Sequence, residues 1–215
     1  RGLGDVYKRQ CSMVITPENV QYFCESVQIA HDNGAKQFSF TFIIDNDGAE
    51  EKDLAYLQKH DPVKLVSGFI SQIDKLSAIT DDWWVEYSFP MCVYTEEQLK
   101  LLKGRLATPC QIHLKNAVTF NTKMELLPCD MYIYQQLGKF GRDFSSYQGF
   151  LSLTESANYN KTMDEIRKLP SDECTACEHF SVCYGGCPVL WKNYSFAALK
   201  EFKAKGPLNS GFSGE

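Results

Sequence analysis

The sequence has no run of about 18 apolar residues, the length that a membrane-spanning helix requires, so no transmembrane helix is expected. It has no basic excess either. Against 27 Asp and Glu stand 22 Lys and Arg, a net charge of −5, which removes the reason to expect nucleic acid or an anionic membrane as a partner. The first ten residues, RGLGDVYKRQ, lack the apolar stretch of a secretory signal. Phosphate loops, a Ser/His/Asp arrangement, internal repeats and low-complexity segments are all missing; the RGLG at the start is too short to be a phosphate loop. What remains is ordinary for a globular protein: 44% hydrophobic and 23% charged residues, in a chain of 215 that can bury the core of one or two domains.

Cysteine is what the chain has in quantity, with nine. Without a signal peptide they argue against a disulfide framework, and their odd number leaves at least one thiol unpaired. Thiols held by a metal in a reducing cytoplasm fit better. Four of them, Cys174, Cys177, Cys183 and Cys187, read C-x2-C-x5-C-x3-C, and Cys110 and Cys129 lie upstream. An iron–sulfur cluster needs soft thiolates, usually four per cubane. A C-x2-C turn presents two sulfurs to one centre, and Gly185-Gly186 frees the backbone to bend before Cys187. Zinc is the rival. His179 lies in the motif, but no second histidine follows at finger spacing, and a four-cysteine ribbon prefers two C-x2-C knuckles where this chain has one. Iron–sulfur is favoured, with zinc or structural thiols as the alternatives.

The first ten residues resemble translated adapter read-through and are set apart as an artefactual leader, with a natural tail as the other reading. Next, SMVIT (12–16) predicts a buried strand. Thr16 then predicts an N-cap with Pro17 at the first helical position, and Val20, Phe23, Cys24 and Val27 form the apolar stripe of a helix that Gly34 stops. FSFTFII (38–44) predicts a strand ending in the turn Asp45–Gly48. Asp61-Pro62 opens a long helix whose face is Val63, Val66, Phe69, Ile70, Ile73 and Leu76. WWVEYSF (83–89) predicts a third strand, and Thr95 with Gln98 a capping box for a helix reaching about Gly104. Strands alternating with helices indicate βαβ units and a parallel sheet, half of a barrel at most. Beyond residue 105 the pattern turns irregular. A hairpin is expected over Ala117–Asn121 and Met124–Leu127, loops over 139–160, a short helix near Lys161–Leu169 and a last helix at Phe196–Lys203 before a flexible tail. Cys24 is expected in the core, and the pair Trp83-Trp84 as core plus rim rather than a substrate platform. Asp81-Asp82 and Glu50-Glu51 are expected to be solvated.

The cysteine spacing resembles the SPASM domain, the C-terminal module of many radical S-adenosylmethionine (radical SAM) enzymes. Cys110 and Cys129, eighteen residues apart, match the family's upstream pair, except that Met124 stands where the family has Gly in Gly-x4-Cys. SMVITPENV, a helix and FSFTFII are similar to later strands of the radical SAM barrel. The resemblance implies an α/β fold: part of an incomplete TIM-like barrel over 11–105, an irregular α+β SPASM domain over 106–192, and a C-terminal helix and tail over 193–215. It implies up to two auxiliary [4Fe-4S] clusters, one on Cys110, Cys129 and Cys187 and one on Cys174, Cys177 and Cys183. The family's last cysteine, which completes the second cluster, has no counterpart after Cys187 in this sequence, so a truncated chain, a substituting group or an open iron site is expected there. Cys92 is a candidate fourth ligand of the first cluster, with a small buried hydrophobe as the competing reading.

The family's C-x3-C-x2-C, which binds the cluster that cleaves S-adenosylmethionine, is also missing, so this polypeptide is expected to be inactive alone. The parent enzyme would use an adenosyl radical on a peptide or protein substrate and draw on a reducing electron donor. Ser12 is expected near S-adenosylmethionine, against a hydroxyl bonded to backbone as the competing role. Thr16, Ile44, Asp45 and Phe89, at the C-terminal ends of strands, are the other candidates for a site. A free-standing iron–sulfur module for electron transfer or binding, or a zinc-stabilised interaction domain, are the alternative functions.

Overall fold

The computed structural model describes residues 10–45, 52–87, 89–106 and 110–205. All of the expected leader except Gln10, which opens the first strand, lies outside them, as do most of the turn after Asp45, Glu50-Glu51 and the tail. The first half alternates strand and helix: β1 (Gln10–Ile15), α1 (Phe23–Asp32), β2 (Gln37–Phe42), α2 (Asp53–Lys59), α3 (Pro62–Ile70), α4 (Ile73–Ile79), β3 (Trp83–Tyr87) and α5 (Glu96–Leu101). The strands pair in parallel in the order β1-β2-β3, with Ile15 opposite Phe42 and Phe40 opposite Val85. A parallel bridge from Val85 to Leu106 begins a further neighbour beside β3.

Aromatic packing fastens the helices to this sheet. Phe38, Phe40 and Phe42 of β2 are all buried. Phe23 stacks on Phe69 at 5.1 Å, Phe40 meets both rings edge-on, and Phe42 stacks on Phe89 at 5.0 Å. Such pairs add to the hydrophobic gain of burial. On β1, Cys11, Met13 and Ile15 turn towards this core while Gln10, Ser12 and Val14 are exposed on the other face. Cys24 is fully buried, as expected, and so is Trp83, with Trp84 half-buried beside it.

Several expected boundaries move. Residues 17–22 make turns, with the Thr16 carbonyl accepting from Asn19 and Val20 N–H, so the helix begins at Phe23 and Thr16 is not its N-cap. Its end is as expected: Gly34 is left-handed (φ 93°), and the Gly34 and Ala35 amides return to His31 and Ala30. The long helix after Asp61 breaks into α3 and α4. The Ser71 hydroxyl bonds the Gly68 carbonyl at 2.7 Å, and Gln72 N–H bonds Phe69 O, tightening the last turn. Val66, Phe69, Ile73 and Leu76 stay buried across the break. Asp61 caps α3 by accepting from Lys64 N–H at 2.9 Å.

The second half comprises α6 (Gln111–Leu114), β4 (Thr119–Phe120), β5 (Glu125–Leu127), β6 (Gly138–Lys139), α7 (Tyr147–Glu155), α8 (Ala157–Ile166), α9 (Phe180–Cys183) and α10 (Phe196–Lys205). The expected hairpin is present as antiparallel β4-β5, extended by β6. Residues 139–160, expected as loops, hold α7 and the start of α8. Two serines of this stretch are N-caps: Ser146 accepts from Gly149 N–H and Ser156 from Tyr159 N–H. After the cysteine motif the chain returns to the first half, where Leu190, Tyr194, Leu199 and Phe202 join its core. The fold is mixed α/β, built on a small parallel sheet.

Candidate metal centre

Seven of the cysteines lie where the two halves meet, and the backbone sorts them. Cys110 precedes α6, Cys129 follows β5, and Cys187 follows Gly186; all three border one small core with Ile112, Tyr132, Met163 and Val189. A hydrogen bond joins the Cys110 and Cys187 sulfurs. That bond, with the Ile112 and His113 amides, lowers the Cys110 thiol to about 7 despite burial. The same bond and burial raise Cys187, and burial raises Cys129. The Tyr132 hydroxyl is held neutral first by burial and then by the three sulfurs beside it.

Cys174, Cys177 and Cys183 form the other group. Cys174 lies in the 3₁₀ turn Asp172–Ala176, Cys177 follows it, and Cys183 ends α9. Tyr184, Gly185 and Gly186 are all left-handed (φ 50°, 82° and 79°), which reverses the chain and sends Cys187 to the first group. Burial raises the Cys174 and Cys183 thiols, reinforced by their sulfur neighbours. Met91 N–H points at Cys183 Sγ at 3.4 Å.

Cys92 was expected beside Cys110, Cys129 and Cys187; its sulfur neighbours come from the other group. Burial pushes its thiol up to about 12, and the sulfurs acting on it are Cys183 and Cys174. The reason is topological. The 3₁₀ turn Met91–Val93 leaves the end of β3 and runs past α9, whereas Cys110 lies beyond α5. Sequence reasoning also missed two tyrosines. Tyr132 lies against the first group. The Tyr194 hydroxyl, buried and without a hydrogen-bond partner, has both Cys92 and Cys187 among its neighbours. No spacing signal marks either one.

The donor set fits an iron–sulfur cluster. Single-ion zinc sites draw their thiolates to about 2.3 Å from one metal and so nearly into contact with one another. Among the described residues no three cysteine sulfurs lie within 4.8 Å of one another; the one tight group of ligand atoms is the exposed Glu96 and Glu178 with half-buried His179. A cubane spreads its thiolates further, each on its own iron. The Met91 N–H aimed at Cys183 sulfur, and the orphaned Tyr194 hydroxyl with Cys92 and Cys187 among its neighbours, suit anionic sulfur there.

No family model matches the chain, and no curated protein is similar enough to count as a relative. Solved structures do match in fold. They include native anSMEcpe with bound AdoMet and Cp18Cys peptide (18% identity, TM-score 0.51, 87% of this chain and 50% of that one). His-tagged anSMEcpe with bound AdoMet matches at 18% identity and TM-score 0.52, over 87% of this chain and 47% of that one. These are structures of an anaerobic sulfatase-maturating radical SAM/SPASM enzyme. The chain spans about half the length of these structures.

The positions expected at a substrate or cofactor site group at one sheet end. Thr16 follows β1, and Asp45 follows β2, where its carbonyl accepts from buried Asn193 at 2.8 Å. Burial, then the Asp45 charge, pushes the Tyr56 hydroxyl up to about 12. Ile44 packs against both cores, and Phe89 is buried under Phe42. Ser12 is on the exposed sheet face, where its hydroxyl meets Ser39 Oγ at 2.7 Å, side chain to side chain and not to backbone as the competing role supposed. Among the described residues no helix is long and apolar enough to cross a membrane.

Proposed function

We propose that this chain is the [4Fe-4S]-binding segment of a radical SAM enzyme of the SPASM type that modifies a peptide or protein. The observation that carries the proposal is the sorting of the cysteines: one linear motif delivers Cys187 to Cys110 and Cys129 while Cys174, Cys177 and Cys183 remain together. Interleaving of this kind is what two auxiliary clusters require, and a single zinc knuckle does not.

In this reading residues 11–105 are part of an incomplete barrel, 106–192 the cluster domain and 193–215 a closing helix and tail. The sequential parallel order β1-β2-β3, with Leu106 arriving beside β3, supports the barrel. A bound cluster supplies one-electron transfer or an iron that binds substrate. The chain's own residues do the rest. Met91 N–H and the amides after Cys110 place partial positive charge on thiolates. Tyr132 and Tyr194 exclude water, and the Tyr194 O–H has an acceptor to gain. Ser12 and Thr16 are the residues assigned to the side that S-adenosylmethionine would occupy, and Asp45 lies at the same sheet end. A peptide substrate is supported by the Cp18Cys peptide bound in a structure of similar fold. A reduced, cytoplasmic setting and an electron donor follow from the cluster chemistry.

Anaerobic reconstitution with iron and sulfide tests the reading. About eight irons and eight sulfides per chain, with a brown chromophore, are expected for two cubanes. Stoichiometric zinc retained against excess iron, with no chromophore, would refute it.

A further inference from the structure

Cys174, Cys177 and Cys183 provide three thiolates, one short of a cubane's usual four, and the segment 90–93 lies against them at several points. Met91 N–H donates to Cys183 Sγ at 3.4 Å. Pro90 packs on Gly186 so closely that a Cβ there would lie 2.7 Å from Pro90 Cγ. The Lys203 ammonium hydrogen-bonds the Cys92 carbonyl, tying the same turn to α10. The sulfurs whose charge reaches Cys92 are those of Cys183 and Cys174. As a residue Cys92 is exposed, like Cys177, while its thiol is largely shielded from water.

We infer that Cys92 is the fourth thiolate of the Cys174, Cys177 and Cys183 group, so that the turn leaving β3 closes that cluster. The inference rests on the iron–sulfur reading above and adds a ligand from outside the cysteine motif. It also gives the Met91–Val93 turn a role. Bound through Cys92, the cluster fastens the end of the parallel sheet to the cysteine-rich half. Ligation needs the Cys92 thiol to lose its proton on binding, as every thiolate ligand does, with iron supplying the compensating charge.

Differential alkylation of the intact chain, read by peptide mass spectrometry before and after anaerobic reconstitution, tests it. Cys92 is expected to slow by roughly tenfold or more on loading, together with Cys174, Cys177 and Cys183, because a metal-bound thiolate is withdrawn from reaction. In loaded Cys177→Ser, Cys92 regains its apo rate; in loaded Cys129→Ser, it stays protected. Cys92 alkylating at its apo rate while the other six are protected overturns the inference and leaves the iron–sulfur reading standing. Protection that survives Cys177→Ser and is lost in Cys129→Ser also overturns it, placing Cys92 on the other cluster. If none of the seven thiols is protected, the iron–sulfur reading fails and takes the inference with it.

Discussion

Met124 shows how a single residue can carry a turn against its own preference. It sits left-handed at φ 58° between β4 and β5, where the SPASM pattern places glycine. Asn121 makes this tolerable. Its Oδ1 accepts from Lys123 and Glu125 N–H at 3.0 Å each, its Nδ2 donates to Glu125 Oε2, and its carbonyl accepts from Met124 N–H. A left-handed non-glycine residue costs about 1–2 kcal/mol, offset in part by the greater entropy that glycine loses on folding. Met124 is 47% exposed, so little packing is at stake. Met124→Gly is therefore expected to stabilise the chain by about 0.5–1 kcal/mol, raising Tm by about 1–4 °C in a thermal melt; a lower Tm contradicts this account of the turn. The departure from the glycine pattern was visible in the sequence, and so was the hairpin. Its compensation by Asn121 was not, because a side chain bonding its own turn leaves no periodic signature. Cys92 is a similar case at the site. Spacing along the chain groups cysteines that are near in sequence, but only the path of the turn after β3 decides which sulfurs a distant one meets.

Among the elements, local chemistry was legible and long-range support was not. The Thr95 capping box is present as read: Thr95 Oγ1 accepts from Gln98 N–H at 3.3 Å and Gln98 Oε1 from Thr95 N–H at 2.9 Å. Thr95→Ala should cost about 1 kcal/mol and lower Tm by about 2–4 °C, and an unchanged Tm would mean that α5 is held by packing alone. The strands were legible because β-branched and aromatic runs mark them. By contrast α2 gave no signal. It is seven residues long, and its start depends on partners far away: Asp53 N–H bonds Asn193 O, and Asp53 Oδ1 accepts from Ser195 N–H. α7 and the start of α8 were hidden because Ser146 and Gly149 read as loop residues, whereas Ser146 caps α7 and Gly149 lies in its first turn.

For the molecule as a whole, the cysteine motif does two jobs. It separates two sulfur groups, and it leads the chain back so that Leu190, Tyr194, Leu199 and Phe202 complete the core of the first half. On the proposed reading, cluster assembly and folding of the C-terminal segment would be linked, because the left-handed run at Tyr184–Gly186 sets both the path to Cys187 and the return to the sheet. The central claim is that the two sulfur groups are independent cluster sites, and iron content of single and double variants tests it most directly. After anaerobic reconstitution, Cys129→Ser and Cys177→Ser should each lose the iron of one cluster, keeping about four of eight irons per chain, and the double variant should keep almost none. If either single variant loses all its iron, or keeps the full amount, or if the double variant still binds about four, the division into two sites is wrong.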